Sequence, residues 1–218
     1  MSGVFLSAAK HAESDGQMLV NLGLIHRDNE WLPYWDGWIH AMRSSGWRRF
    51  GLYVWDQGWG LPGDWTGRLA PSFELVFHFN KEARKPNKTI KKQEESIGVK
   101  FGAMRKKDGT VQDFSNPDAS KATHKIPDSV LRINRSTETI RSEHPAVFPV
   151  DLPAFLVEAW SDAGEVIAEP FGGSGTTLIA CAKTGRVARL IEIDPRYCDV
   201  IRRRWTKYAL SAGVDPGT

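Results

Sequence analysis

The sequence has few cysteines, no adjacent prolines and no long apolar run. Its 218 residues include two cysteines, Cys181 and Cys198. Two thiols outside any Cys-x-x-Cys pair cannot build a disulfide framework or a four-ligand zinc site, which points to a reducing compartment and a cytoplasmic protein. The opening MSGVFLSAAKHAESDGQ reaches His11, Glu13 and Asp15 after a brief apolar stretch, too early for a signal peptide or a membrane span. The histidines have no ligand spacing, so no metal site is expected. Internal repeats and sustained heptads are absent too, which excludes solenoids and coiled coils. What remains is ordinary globular composition, 41% hydrophobic and 25% charged, sufficient for one sizeable core.

Charge is unevenly spread. Residues 81–143 hold 15 Lys and Arg against 9 Asp and Glu, whereas the segments before and after are slightly acidic. Three zones follow. In 1–80, FLSAAKHAE reads as a helix, QMLVNLGL as a strand, Tyr34 to Ser45 as a helix, RRFGLYVWDQ as a strand, and SFELVFHFN as a third strand with Phe73, Leu75, Phe77 and Phe79 on one face. Residues 81–143 have weak periodicity and read as loops and small elements. In 144–218, DLPAFLVEAWSD is an amphipathic helix, EVIAEP a strand, TTLIACAKTG a helix stopping at Gly185, and VARLIEI a strand. A last helix begins at Asp194-Pro195, with Asp194 as cap and Val200, Ile201, Trp205 and Tyr208 facing inward.

The chemistry concentrates in 169–177, EPFGGSGTT. Strand, glycine turn and helix in succession put backbone amides and a positive helix end at the carboxyl edge of a parallel sheet, where ligands bind. Gly172, Gly173 and Gly175 permit close approach. Glu192 ends the next strand, 23 residues after Glu169, near the spacing at which an acid meets ribose hydroxyls. A phosphate loop would need Lys after its last glycine, and the next lysine is Lys183. A dinucleotide fingerprint would need a small residue where Leu178 stands, so a nicotinamide-dependent oxidoreductase is the weaker alternative.

EPFGGSGTT resembles the Asp/Glu-Pro-Phe-x-Gly-Ser-Gly-Thr cofactor motif of DNA methyltransferases acting on adenine N6 or cytosine N4. HPAVFP, residues 144–149, is similar to the segment preceding that motif in permuted members, and IEIDPRY, residues 191–197, resembles their second cofactor motif. The likeness extends over nearly the whole chain and is most specific in 144–208. It implies an α/β, doubly wound, Rossmann-like fold using S-adenosylmethionine, with 1–80 as part of the catalytic half, 81–143 as a target-recognition segment and 144–218 as the cofactor half. Carried over, Glu169, Pro170, Phe171, Gly172, Gly173, Ser174, Gly175 and Thr176 surround the methionine part, Glu192 holds the ribose, and His144, Pro145 and Phe148 close the pocket. Lys81, Arg84, Lys85, Lys88, Lys91 and Lys92 are the expected contacts to double-stranded DNA. An aromatic between Trp55 and Trp65 is a candidate for stacking a flipped base.

The family's catalytic tetrapeptide, Asp/Asn/Ser-Pro-Pro-Tyr/Phe, is not in the sequence, because none of the 12 prolines are adjacent. Leu32-Pro33-Tyr34-Trp35 imitates it without the polar acceptor and is expected to begin a helix. By family order the motif would precede Met1, so the resemblance implies truncation at the start and a missing central strand. Either a second chain supplies that strand or the chain is an inactive DNA-binding remnant. No covalent nucleophile is expected, in contrast to carbon-5 methylation, and membership of a restriction-modification pair is compatible with the motifs.

Overall fold

The computed structural model describes residues 2–60, 68–94, 97, 103–113, 121–135 and 148–217. It comprises two compact units, Met1–Lys85 with Asp128–Thr218, and Pro86–Pro127.

The larger unit begins with helix α1 (Ser2–Lys10) and strand β1 (Gln17–Leu22). A hairpin of β2 (Ile25–Arg27) and β3 (Glu30–Leu32) follows, and its turn residues Asp28 and Asn29 both take positive φ, 51° and 63°. That is the backbone of a tight primed turn, which Asp and Asn tolerate better than other non-glycine residues. Helix α2 (Asp36–Ser44), β4 (Arg48–Asp56) and β5 (Phe73–Asn80) complete the first zone. The smaller unit holds two antiparallel pairs, β6 (Ile90–Lys91) with β9 (His124–Lys125), and β7 (Ala103–Arg105) with β8 (Val111–Asp113). Back in the larger unit come β10 (Val130–Arg132), α3 (Asp151–Trp160), β11 (Val166–Glu169), α4 (Thr176–Thr184), β12 (Val187–Leu190) and α5 (Pro195–Ser211).

Four strands form a mixed sheet in the order β1-β5-β4-β10. Strand β5 runs antiparallel to both neighbours, and β10 runs parallel to β4. Both faces are covered. Phe77 and Phe79 join Phe5, Trp35, Trp38, Met42 and Trp47 beneath α1 and α2. On the opposite face Trp160 of α3 sets its ring on His78 at 4.4 Å and near Phe50 and Tyr53. The alternation of phenylalanines along β5 therefore marks only one of two buried faces. The other is polar: Tyr53 Oη donates to His78 Nδ1 at 2.7 Å, His78 Nε2 donates to Gln17 Oε1 at 2.8 Å, and Asn80 Nδ2 donates to the same oxygen at 3.0 Å. Burial pushes His78 down to about 4 and Tyr53 up to about 12, so the ring is neutral and the chain of donors has one direction.

Strands β11 and β12 pair in parallel as a separate two-stranded sheet, with Glu169 opposite Leu190. Among the described residues, β1 pairs along one edge only, with β5, and β11 along one edge only, with β12. Helix α1 stands beside both: Phe5 shares a core with Val20 of β1 and packs its ring 5.6 Å from Phe171, just beyond β11.

Candidate cofactor turn

The turn after β11 is built from its glycines. Gly173 and Gly175 take φ of 52° and 79°, a region costly for other residues. Gly172 is needed for space, since a Cβ there would meet the Ile191 carbonyl oxygen at 3.2 Å and Ile201 Cδ1 at 3.3 Å. The closeness comes from β12 and α5 folding back over the turn: Gly172 N–H donates to Ile191 O at 2.8 Å, and Gly175 N–H to Gly172 O at 2.8 Å.

Two carboxylates tie this turn together. Glu169 accepts the Phe171 amide at 2.9 Å and the Thr177 hydroxyl at 3.0 Å. Burial raises its pKa, and those two donors work against the rise. Glu192 accepts the Gly173 amide at 2.6 Å and the Asp194 amide at 2.9 Å, so one side chain links the β11 turn to the β12 turn. Asp194 caps α5 as expected, accepting the Arg196 amide at 2.9 Å. The Arg196 guanidinium on the same carboxyl holds its pKa below the usual carboxylate range.

Among the described residues, the amides of Ser174, Thr176, Thr177 and Leu178 have no acceptor. The cap residue Gly175 offers no side chain, and the first intrahelical bond of α4 is that of Ile179 to the Gly175 carbonyl. A partly buried carboxylate, glycines in the left-handed region and amides at a helix start form an edge suited to a small zwitterion. Glu169, Phe171, Gly172, Gly173, Ser174, Gly175 and Thr176 lie on one turn, and Glu192 reaches it from the turn after β12. Phe171 is half exposed, with its other side against Phe5.

Other expected residues lie elsewhere. Phe148 packs on the cluster of Trp55, Leu131 and Leu152, while His144 and Pro145 fall outside the described residues. Arg84 is engaged within the protein. Its guanidinium reaches Asp162 at 2.7 Å, Glu165 at 3.0 Å and Asp15 at 3.7 Å, so its charge is matched there. Lys81 lies 5.4 Å from the Trp47 ring centre. Lys85 belongs to the larger unit, and Lys88, Lys91 and Lys92 to the smaller one. Trp55 is buried and donates to the Ile133 carbonyl at 2.7 Å, Trp59 is 82% exposed, and Trp65 lies outside the described residues. Pro33 and Tyr34 lead into α2, with the Tyr34 hydroxyl bonded to Gly23 O at 2.9 Å, a structural role. Arg204, on α5, sends its guanidinium into the glycine turn and donates to the Ser174 carbonyl at 2.7 Å.

Cys181 is buried in α4, where burial pushes its thiol up to about 11, far from a ready thiolate. Among the described residues no group of His, Cys, Asp and Glu is placed to hold a metal, and no helix is long and apolar enough to cross a membrane.

The sequence profile of the DNA methylase family of N6 and N4 enzymes matches residues 1–203. The chain belongs to that family. Among its relatives are the orphan methyltransferase M.BamHII of Bacillus amyloliquefaciens, 36% identical over 73 residues, 34% of this chain and 28% of that protein. A second is the type II methyltransferase M.XycI of Xanthomonas campestris pv. cyanopsidis, 25% identical over 157 residues, 72% of this chain and 44% of that protein. The matched stretches thus span less than half the length of either relative. The fold is that of the cytosine-N4-specific PvuII DNA methyltransferase, at a TM-score of 0.67 and 20% identity over 93% of this chain and 70% of that one. The M1.HpyAVI–SAM complex gives 0.62 and 15% identity over 90% of this chain and 77% of that one. The α/β methyltransferase architecture expected from the motifs is therefore the architecture present.

Proposed function

We propose that this chain binds S-adenosylmethionine at the 169–177 turn and serves the methylation of an exocyclic amine, adenine N6 or cytosine N4, in double-stranded DNA. The observation that carries the reading is the pair of carboxylates flanking the glycine cradle. The desolvated carboxyl of Glu169 suits the cofactor's ammonium, which would favour its ionised form. Glu192 keeps free lone pairs for ribose hydroxyls after accepting two amides. The turn would fix the sulfonium methyl while the base nitrogen attacks it directly, S-adenosylhomocysteine leaves, and a proton is lost from the nitrogen. The lysines at 81, 85, 88, 91 and 92 would meet the DNA backbone, Phe148 with His144 and Pro145 would border the cofactor, and residues 81–143 would carry target recognition.

The amine-binding tetrapeptide belongs, in this reading, to a strand seated between the open edges of β1 and β11 and followed by α1. Two edges without a partner strand among the described residues, beside one helix, favour that position, because parallel strand, helix and parallel strand is the usual right-handed unit. The strand would be supplied by a polypeptide that carries the tetrapeptide. Incubating the chain with DNA and methyl-labelled cofactor, with and without a polypeptide bearing such a strand, tests this. Label should enter DNA only when the strand is supplied. Robust transfer by the 218 residues alone would refute the strand assignment, and none under either condition, despite cofactor binding, would favour an inactive remnant that still binds DNA.

A further inference from the structure

Arg204 lies in the third turn of α5, yet its guanidinium leaves the helix surface for the interior of the glycine turn. Nη1 donates to the Ser174 carbonyl at 2.7 Å, to Ser174 Oγ at 2.9 Å and to Thr176 Oγ1 at 3.1 Å. Both receiving residues are buried. The location runs against simple electrostatics, because Thr176 opens α4 and the start of a helix repels a cation. Fixed carbonyl and hydroxyl acceptors outweigh that repulsion here, since charge-assisted hydrogen bonds are stronger than neutral ones.

The consequence is a clamp. The peptide between Ser174 and Gly175 has its carbonyl held by Arg204 and its N–H held by the Gly172 carbonyl at 2.8 Å. With both ends fixed, Gly175 is kept at its φ of 79°, and the adjacent free amides of Thr176 and Thr177 keep one direction. Ile201, one turn earlier on α5, fills the space beside Gly172 and Gly175, so a single helix face both packs and polarises the turn.

We infer that Arg204 is a positioning residue for the amino-acid end of the cofactor, acting through the Ser174–Gly175 peptide. The inference rests on the assignment of this turn to S-adenosylmethionine. It separates the two ends of the ligand: the amino-acid tail lies at the clamped turn, while the nucleoside lies towards Glu192.

Calorimetric titration of native chain and of Arg204→Met, each with S-adenosylmethionine and with 5′-methylthioadenosine, which lacks the amino-acid tail, tests it. Arg202→Met, whose side chain pairs with Asp199 at 2.7 Å on the surface, is the control. Arg204→Met should weaken S-adenosylmethionine at least tenfold and methylthioadenosine less than threefold. Arg204→Lys, retaining charge but not the fork, should be intermediate for S-adenosylmethionine with a native melting temperature. Native-like affinity in Arg204→Met would overturn the inference while leaving the cofactor assignment intact. Equal loss of both ligands in both variants would also overturn it, by marking collapse of the fold rather than loosening of the turn. Absence of S-adenosylmethionine binding in the native chain would remove the cofactor assignment itself, and the inference with it.

Discussion

Glu192 and Gly173 lie 19 residues apart in sequence, and the carboxylate of one accepts the backbone amide of the other at 2.6 Å. With its second bond to Asp194, Glu192 is a tie between the turns after β11 and β12 as well as an acid. Glu192→Ala should therefore lower both cofactor affinity and stability, the latter by about 2 kcal/mol for lost charge-assisted bonds. Glu192→Gln, which keeps one acceptor, should recover most of the stability but less of the affinity. Urea unfolding and calorimetry on the same preparations measure the two effects separately.

Glycines with similar dihedrals should differ in cost. Gly164 and Gly175 take φ of 85° and 79°, but a Cβ on Gly164 meets nothing within 4 Å, while one on Gly175 meets Ile201 Cγ1 at 3.1 Å. Gly164→Ala should cost about 1 kcal/mol, the left-handed penalty alone, and Gly175→Ala about 1–3 kcal/mol more from overpacking. Equal shifts in denaturant midpoint would contradict the packing described here.

Acid should loosen the sheet through His78. Its pKa in the fold, about 4, lies below the ordinary 6.5, so the folded state favours the neutral ring. The stabilisation is complete above pH 6.5 and is lost progressively as pH falls towards 4, with a ceiling of about 3 kcal/mol. Melting temperature followed from pH 8 to 4 should decline mainly below 6.5, and His78→Asn should flatten that decline. A wild-type profile parallel to the variant's would show that His78 is not responsible.

The basic residues should separate by role. Arg84→Gln breaks contacts with Asp15, Asp162 and Glu165 and should lower stability by about 1–2 kcal/mol while leaving the salt dependence of DNA binding unchanged. Lys88→Gln and Lys91→Gln should each weaken DNA binding across sequences and reduce the salt slope by about one. Fluorescence anisotropy over a salt series distinguishes the two classes.

Strongly periodic segments were readable because burial repeats with the period of their structure. Phe77 and Phe79 mark a strand face, Gly185 ends α4 in the left-handed conformation, and Asp194 with Pro195 opens α5. The β2–β3 hairpin was not readable, since Asp28 and Asn29 form its turn without the glycine that usually signals one. Strands of two or three residues in 86–127 are too short to show a period. His78, Gln17 and Asn80 read as polar positions, yet they are satisfied by one another beneath Trp160, which only three-dimensional pairing reveals. At the turn after β11, the backbone-determined positions were legible from glycine spacing. Arg204 was not, because position on a helix does not say where a long side chain ends. The ion pairs of Arg84 were not legible for the same reason, since a basic run in sequence carries no record of the carboxylates it meets in space.

Amide hydrogen exchange with and without S-adenosylmethionine tests the central assignment most directly, because it reports where the ligand sits as well as whether it binds. Peptides containing residues 171–178 and 192–194 should exchange more slowly with the cofactor and be unaffected by NAD. Unchanged exchange at the turn under saturating S-adenosylmethionine, or protection there by NAD instead, would contradict it.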